Sequence, residues 1–194
     1  MRKGFIQVYT GDGKGKTTAA LGLALRAAGA GLRVFIAQFI KKQRCGEHGI
    51  IEERLKDLIT VKQYGEGLIL RRKSTQSDVK AAQKGLAEAR KVIDSGLYDI
   101  VVLDEVNVAV RYQLIDLADL IDIIEKKPEG VELVITGRHA EEQVIEKADL
   151  VTELKEIKHY QEKGTKARRG IRSCWPGGST PTSRCPGRAV SGRK

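Results

Sequence analysis

The chain has 194 residues and a net charge of +10 at pH 7, from 35 Lys and Arg against 25 Asp and Glu, a surplus that ordinarily points to a nucleic-acid or membrane partner. The placement of the charge weakens that inference: every acidic residue lies at or before Glu162, and Lys163 to Lys194 carries nine bases, so residues 1–162 hold 26 bases against 25 acids. A hydrophobic content of 41% with one cysteine in the body, Cys45, excludes collagen-like, disulfide-scaffold and wholly disordered classes, and no apolar run approaches the roughly 18 to 20 residues that span a bilayer.

The N-terminus, Met1 to Val8, turns into an alternating strand at once and lacks the apolar stretch and cleavage site of a signal peptide, so a cytoplasmic location is expected. The first strand is predicted over Gly4 to Tyr9. Directly after it comes Thr10-Gly11-Asp12-Gly13-Lys14-Gly15-Lys16-Thr17-Thr18, opening a helix from Lys16 to about Ala28 that stops at Gly29 to Gly31. Glycines let the backbone curl until its N–H groups converge on phosphate oxygens. The helix N-terminus adds positive potential, Lys16 a point charge, and the Thr17 hydroxyl a ligand for magnesium. The usual pattern G-x-x-x-x-G-K-[ST] has glycine where Thr10 stands, but the strand-to-helix context is met.

A second strand is predicted over Arg33 to Phe39, with Gln38, Phe39 and Lys41 leaving its end, and a third over Leu58 to Tyr64. The stretches Lys41 to Glu53 and Gly65 to Gln76 lack periodicity. The longest helix begins near Ser77, and its apolar residues Val79, Ala82, Leu86, Ala89 and Ile93 keep to one face until Gly96. The fourth strand, Ile100 to Asp104, is an apolar run ending in two acids, Asp104 and Glu105. A buried strand that delivers carboxylates beside a phosphate loop is suited to holding magnesium or its water shell. Adjacent strand residues point oppositely, so the two acids share one role only if the chain bends there. A helix over about Asp116 to Lys126, a strand over Glu132 to Thr136, a helix over about Glu141 to Ala148 and a weak strand over Leu150 to Glu153 complete the series. Thr136-Gly137-Arg138 leave the fifth strand on the same edge as the phosphate loop, and Arg138 is the candidate cation there.

Strands alternating with helices predict an α/β fold, P-loop NTPase-like, with a mostly parallel sheet of about six strands and helices on both faces. Ligands of such sheets bind beyond the carboxyl ends of the strands. Residues 1–171 read as one domain. Residues 172–194, rich in Pro, Gly, Ser and Arg, read as a basic tail that is disordered or non-native.

Val8 to Gly22, then Ala37-Gln38-Phe39-Ile40-Lys41, Tyr64-Gly65-Glu66-Gly67, Val101 to Asn107, Ile135-Thr136-Gly137-Arg138 and Ala148 to Glu153 together resemble the bacterial ATP:corrinoid adenosyltransferases. The likeness runs from about Gly4 to Ile171. It implies that the reduced cobalt(I) of a corrinoid attacks the 5′-carbon of ATP and expels the whole triphosphate, with ATP bound reversed relative to ordinary P-loop enzymes. Carried onto this chain, Gly11, Asp12, Gly13, Lys14, Gly15, Lys16, Thr17 and Thr18 would hold the triphosphate. Lys16, with Arg138, would neutralise the leaving group, and Thr17, Asp104 and Glu105 would position Mg2+ or Mn2+. The resemblance further implies a homodimer and an electron donor such as a flavoprotein. Cobalt(I) needs no general base, so catalysis would rest on positioning and charge stabilisation; His48, His139 and His159 are scattered and read as ordinary surface or structural histidines.

Two departures stand out. Where the family commonly places an aromatic pair that helps displace the lower ligand of cobalt, this chain has Leu68 and Leu70, expected to form an apolar wall against the corrin ring. Some members cover the site with an N-terminal extension, whereas here the first strand opens at Gly4, so shielding is expected from elsewhere. The competing reading is a P-loop ATPase that hydrolyses ATP, stimulated by nucleic acid, with Glu105 activating water. The near-neutral body and the few, scattered aromatics speak against a nucleic-acid partner. For a non-enzymatic nucleotide-binding module the sequence offers no positive sign.

Overall fold

The computed structural model describes residues 3–67, 73–165, 168, 170 and 171. Six strands, β1 (Ile6–Thr10), β2 (Val34–Gln38), β3 (Ile59–Gln63), β4 (Ile100–Asp104), β5 (Glu132–Thr136) and β6 (Leu150–Glu153), form one sheet in the order β3-β2-β4-β5-β1-β6. Every pairing is parallel. Of the inner strands, β2, β4 and β5 are buried along their whole length, which is why they are largely apolar runs in the sequence, whereas β1 buries only Val8 fully. Among the described residues, no helix is long and apolar enough to cross a membrane.

Side-chain parity divides the core into two layers. Phe35, Ala37, Val101, Leu103, Leu133 and Ile135 face one side, packed by α3 (Gln76–Asp94), α4 (Val106–Arg111), α5 (Leu117–Lys126) and α6 (Glu142–Glu146) through residues such as Leu86, Val106, Leu120 and Val144. Val34, Ile36, Ile100, Val102 and Val134 face the other side and meet α1 (Lys16–Gly29) through Ala20, Ala24, Ala27 and Ala28. Four alanines leave α1 a shallow inner surface that lets it lie close to the sheet. The same parity carries Gln38, Asp104 and Thr136, the last residues of β2, β4 and β5, onto the α1 side.

Three stretches differ from the sequence expectations. The long helix α3 is capped by Thr75 rather than Ser77: Asp78 accepts from both the backbone N–H and the hydroxyl of Thr75 at 2.7 Å, a capping box that outcompetes the later serine. The aperiodic segment after β2 contains α2 (Gly46–Ile50), which runs directly into a π-helical turn over Ile51–Leu55. The third is α4, over a stretch where no element was expected from the sequence and whose Val106-Asn-Val-Ala-Val run has strand propensity. It is helical because Val106, Val108, Ala109 and Val110 fill the first layer immediately beyond β4, and burial overrides propensity.

Candidate active site

The strand ends and the N-terminus of α1 meet at one edge. After β1 the chain makes a tight loop in which Gly11 and Gly15 take φ values of 90° and 125°, conformations that favour glycine. The loop is braced from outside by the segment leaving β6: Gly13 N–H donates to the Leu154 carbonyl at 2.7 Å and Leu154 N–H to the Thr10 carbonyl at 2.9 Å. A methyl group on Gly13 would stand 2.7 Å from that Leu154 oxygen, so this position requires glycine for space as well. Thr10, which replaces the glycine of the usual pattern, has its own use. Its hydroxyl accepts from Ala140 N–H at 3.3 Å, tying the loop that carries Arg138 to the glycine-rich loop.

Lys16 is only 6% exposed, and its ammonium lies inside the loop, donating to the carbonyls of Gly11 at 2.5 Å and Gly13 at 2.8 Å. Burial holds its pKa below the ordinary lysine value, opposed by the nearby charge of Glu105. Arg138 is half exposed, with Nη1 3.5 Å from Asp12 Oδ1. Lys14 and Thr18 are exposed on the outer side of the loop and at the start of α1.

Asp104 is the centre of the polar row. It is 1% exposed and four donors converge on its carboxylate. The hydroxyls of Thr17 and Thr136 each donate to Oδ1 at 2.8 Å, Gln38 Nε2 donates to Oδ2 at 3.0 Å, and Lys41 Nζ lies 3.4 Å from Oδ2. The register explains the convergence, since Gln38 on β2 is the direct neighbour of Asp104 on β4, and β5 on the other side contributes Thr136. Thr136 Oγ1 also accepts the N–H of Glu105 at 2.9 Å. Glu105 has φ 62°, so the chain does bend at the end of β4, and Glu105 turns out of strand alternation to become the N-cap of α4. Burial, and next the charge of Asp104, push its pKa above the ordinary carboxylate value, while Lys16, Lys41 and Arg138 pull the other way. Gly137, at φ 135°, packs against Asn107 of α4, which fixes the start of the Arg138 loop.

Of the residues singled out in the sequence, Gly11 to Thr18, Asp104, Glu105 and Arg138 thus come together at one edge. Leu68 and Leu70 lie outside the described residues. The bridging part of Thr136 and the burial of His48, which is 5% exposed and hydrogen-bonded to Gln38, were not foreseen. No residue spacing announces either: Thr136 is brought to Asp104 by the alignment of β4 and β5, and His48 to Gln38 by the docking of α2 beside the end of β2.

The family model described as ATP:corrinoid adenosyltransferase BtuR/CobO/CobP matches residues 2–172. A corrinoid adenosyltransferase of Sinorhizobium sp is 40% identical over 171 residues, covering 87% of this chain and 80% of that protein. The corrinoid adenosyltransferase of Escherichia coli strain K12 is 34% identical over 170 residues, covering 87% and 85%. Corrinoid adenosyltransferase CobA of Salmonella typhimurium shares 34% identity over 170 residues, again 87% and 85%.

Proposed function

The chain belongs to the ATP:corrinoid adenosyltransferase family and carries that transferase activity, and on that premise we propose how its residues divide the work. The substrates are ATP and a corrinoid. The cobalt(I) nucleophile of the reduced corrinoid forms a bond to the ribose 5′-carbon, the C5′–O bond breaks, and its electron pair leaves with the triphosphate. Cobalt rises formally from +1 to +3, and no proton has to be removed. The protein's task is therefore to align the 5′-carbon with cobalt and to stabilise charge on the departing triphosphate.

In this reading Gly11 to Thr18 hold the triphosphate, through backbone N–H groups other than that of Gly13, which Leu154 takes, and Lys16 and Arg138 compensate its charge. The donor set at Thr17 and Asp104 is made of oxygen atoms alone, with Glu105 following directly, which fits a hard cation such as Mg2+ or Mn2+. When bound, that ion supplies positive charge to the phosphate oxygens. Thr136 and Gln38 keep the Asp104 carboxylate in one orientation. The observation that carries this reading is the junction of Lys16, Thr17 and Asp104 at one sheet edge, in a chain matched from end to end of its body by this family.

Leu68 and Leu70 supply an apolar wall for the corrin ring in this reading, residues 1–171 are the catalytic unit, and residues 172–194 are dispensable. A flavoprotein-type donor delivers the electron, the enzyme acts as a homodimer in the cytoplasm, and nucleic acid takes no part. The test is the fate of the phosphates when chemically reduced corrinoid, ATP and magnesium are mixed with enzyme. Intact triphosphate seen by phosphorus NMR supports transfer. ADP and phosphate, released faster when DNA is added, would instead support hydrolysis.

A further inference from the structure

We propose that His48 is a positioning residue for the metal–nucleotide site, acting through Gln38 on the carboxylate of Asp104. The inference rests on the reading of Asp104 as part of that site. His48, Gln38 and Asp104 are all buried, at 5%, 1% and 1% exposure, and they form one chain of hydrogen bonds. His48 Nε2 lies 2.9 Å from Gln38 Oε1, and Gln38 Nε2 donates to Asp104 Oδ2 at 3.0 Å.

The chain has only one consistent polarity. A carboxylate accepts and does not donate, so Gln38 must turn its amide N–H towards Asp104 and its Oε1 away. That oxygen needs a donor, and His48 supplies one if its proton sits on Nε2. The other end of the ring favours the same choice, because the backbone N–H of Cys45 donates to His48 Nδ1 at 2.9 Å, a shorter contact than the one Nδ1 makes with the Cys45 carbonyl at 3.3 Å, and the shorter contact calls for a bare lone pair there. Both ends favour the neutral Nε2–H tautomer. Burial, which disfavours the imidazolium, acts in the same direction.

Gln63 Nε2 also approaches Gln38 Oε1, but at 3.4 Å; the short contact is the histidine's. Removing His48 would leave a buried amide free to turn and present its oxygen to the carboxylate. Oδ2 would lose its best donor and Asp104 could swing about its side-chain bond. Oδ1 would then no longer be held where Thr17 meets it at 2.8 Å. A group bonded directly to a metal ligand, as Gln38 is to Asp104, characteristically changes metal affinity by about 10- to 100-fold on mutation, and His48, one bond further out, is expected at the low end of that range.

The first measurement needs only the parent protein: long-range proton–nitrogen NMR of its histidines, in which His48 should show the Nε2–H tautomer. An Nδ1–H signal overturns the proposal. The second is binding of Mn2+ in the presence of ATP, read by electron paramagnetic resonance, for the parent, Asp104→Asn, His48→Leu and His48→Gln. His48→Leu should weaken Mn2+ by about ten-fold, and His48→Gln, whose amide N–H can stand in for Nε2–H, should recover most of that. In turnover, His48→Leu should raise the half-saturating metal concentration with little change in kcat at saturation, a split that a general loss of structure would not produce. If Asp104→Asn weakens Mn2+ but His48→Leu does not, or if His48→Gln is no better than His48→Leu, the relay is wrong and the site stands. If Asp104→Asn leaves Mn2+ binding unchanged, the site reading fails and the relay with it.

Discussion

Replacing Lys16 with alanine separates what the phosphate loop does for chemistry from what it does for folding. The ammonium is almost wholly buried and is held by two loop carbonyls at 2.5 and 2.8 Å. Two unit charges about 4 Å apart at a protein site interact by roughly 4 kcal/mol at an effective dielectric constant near 20. About one further unit of charge develops on the triphosphate as the C5′–O bond breaks, so losing Lys16 should slow transfer by about 10³-fold, at roughly 1.4 kcal/mol per tenfold. Stability should behave differently. Burial disfavours the charged amine, as the lowered pKa of Lys16 indicates, so its removal trades two hydrogen bonds for relief of a desolvation cost, and the melting temperature without ATP should not fall. Single-turnover adenosylation of a reduced corrinoid, paired with a thermal melt, measures both. Turnover close to that of the parent would remove Lys16 from the mechanism. A melting temperature several degrees lower would instead mark Lys16 as a strut of the loop.

Three further outcomes are expected. Arg138→Ala should lower kcat by about 10²-fold, the usual cost of removing one charge-stabilising donor, without moving the melting temperature, because its ion pair with Asp12 is half exposed and such pairs contribute about 0–1 kcal/mol; an unchanged kcat in steady-state assays would exclude Arg138 from the reaction. Gly13→Ala drives a methyl group to 2.7 Å from the Leu154 carbonyl and should cost about 1–3 kcal/mol together with ATP affinity, whereas Gly22→Ala, in open space on α1, should stabilise by about 1 kcal/mol with normal ATP binding. Equal melting temperatures for those two variants would contradict the packing described. Ending the chain after Arg172 should leave adenosylation unchanged, and a large loss of activity would show that the tail belongs to the working enzyme.

The strands were readable in the sequence because those at the centre of the sheet are apolar runs closed by polar residues, as Ile100 to Asp104 shows, while β1 alternates. The tight glycine-rich turn from β1 into α1 was readable because its glycines and Lys16 lie close together in the chain. What the sequence did not display is the row Gln38-Asp104-Thr136. Its members are far apart in sequence and become neighbours only through the register of β2, β4 and β5. His48 was harder still, since it sits in a segment without periodicity. Its function depends on α2 docking beside the end of β2, where Gln38 Oε1 needs a donor. Glu105 is an intermediate case: strand alternation set it apart from Asp104, and the left-handed turn at φ 62° could not be read from two adjacent acids. Local chemistry is thus written in the chain, whereas hydrogen-bond partners across the sheet depend on topology.

The central claim is that ATP loses its adenosyl group rather than a phosphate. ATP carrying carbon-13 at the ribose 5′ position, turned over in the dark with magnesium and a cobalt(I) corrinoid, tests it most directly. The account predicts that the label appears in a light-sensitive cobalt–carbon bond, one per triphosphate released. Label recovered in ADP, with free phosphate and no cobalt-bound carbon, would contradict it.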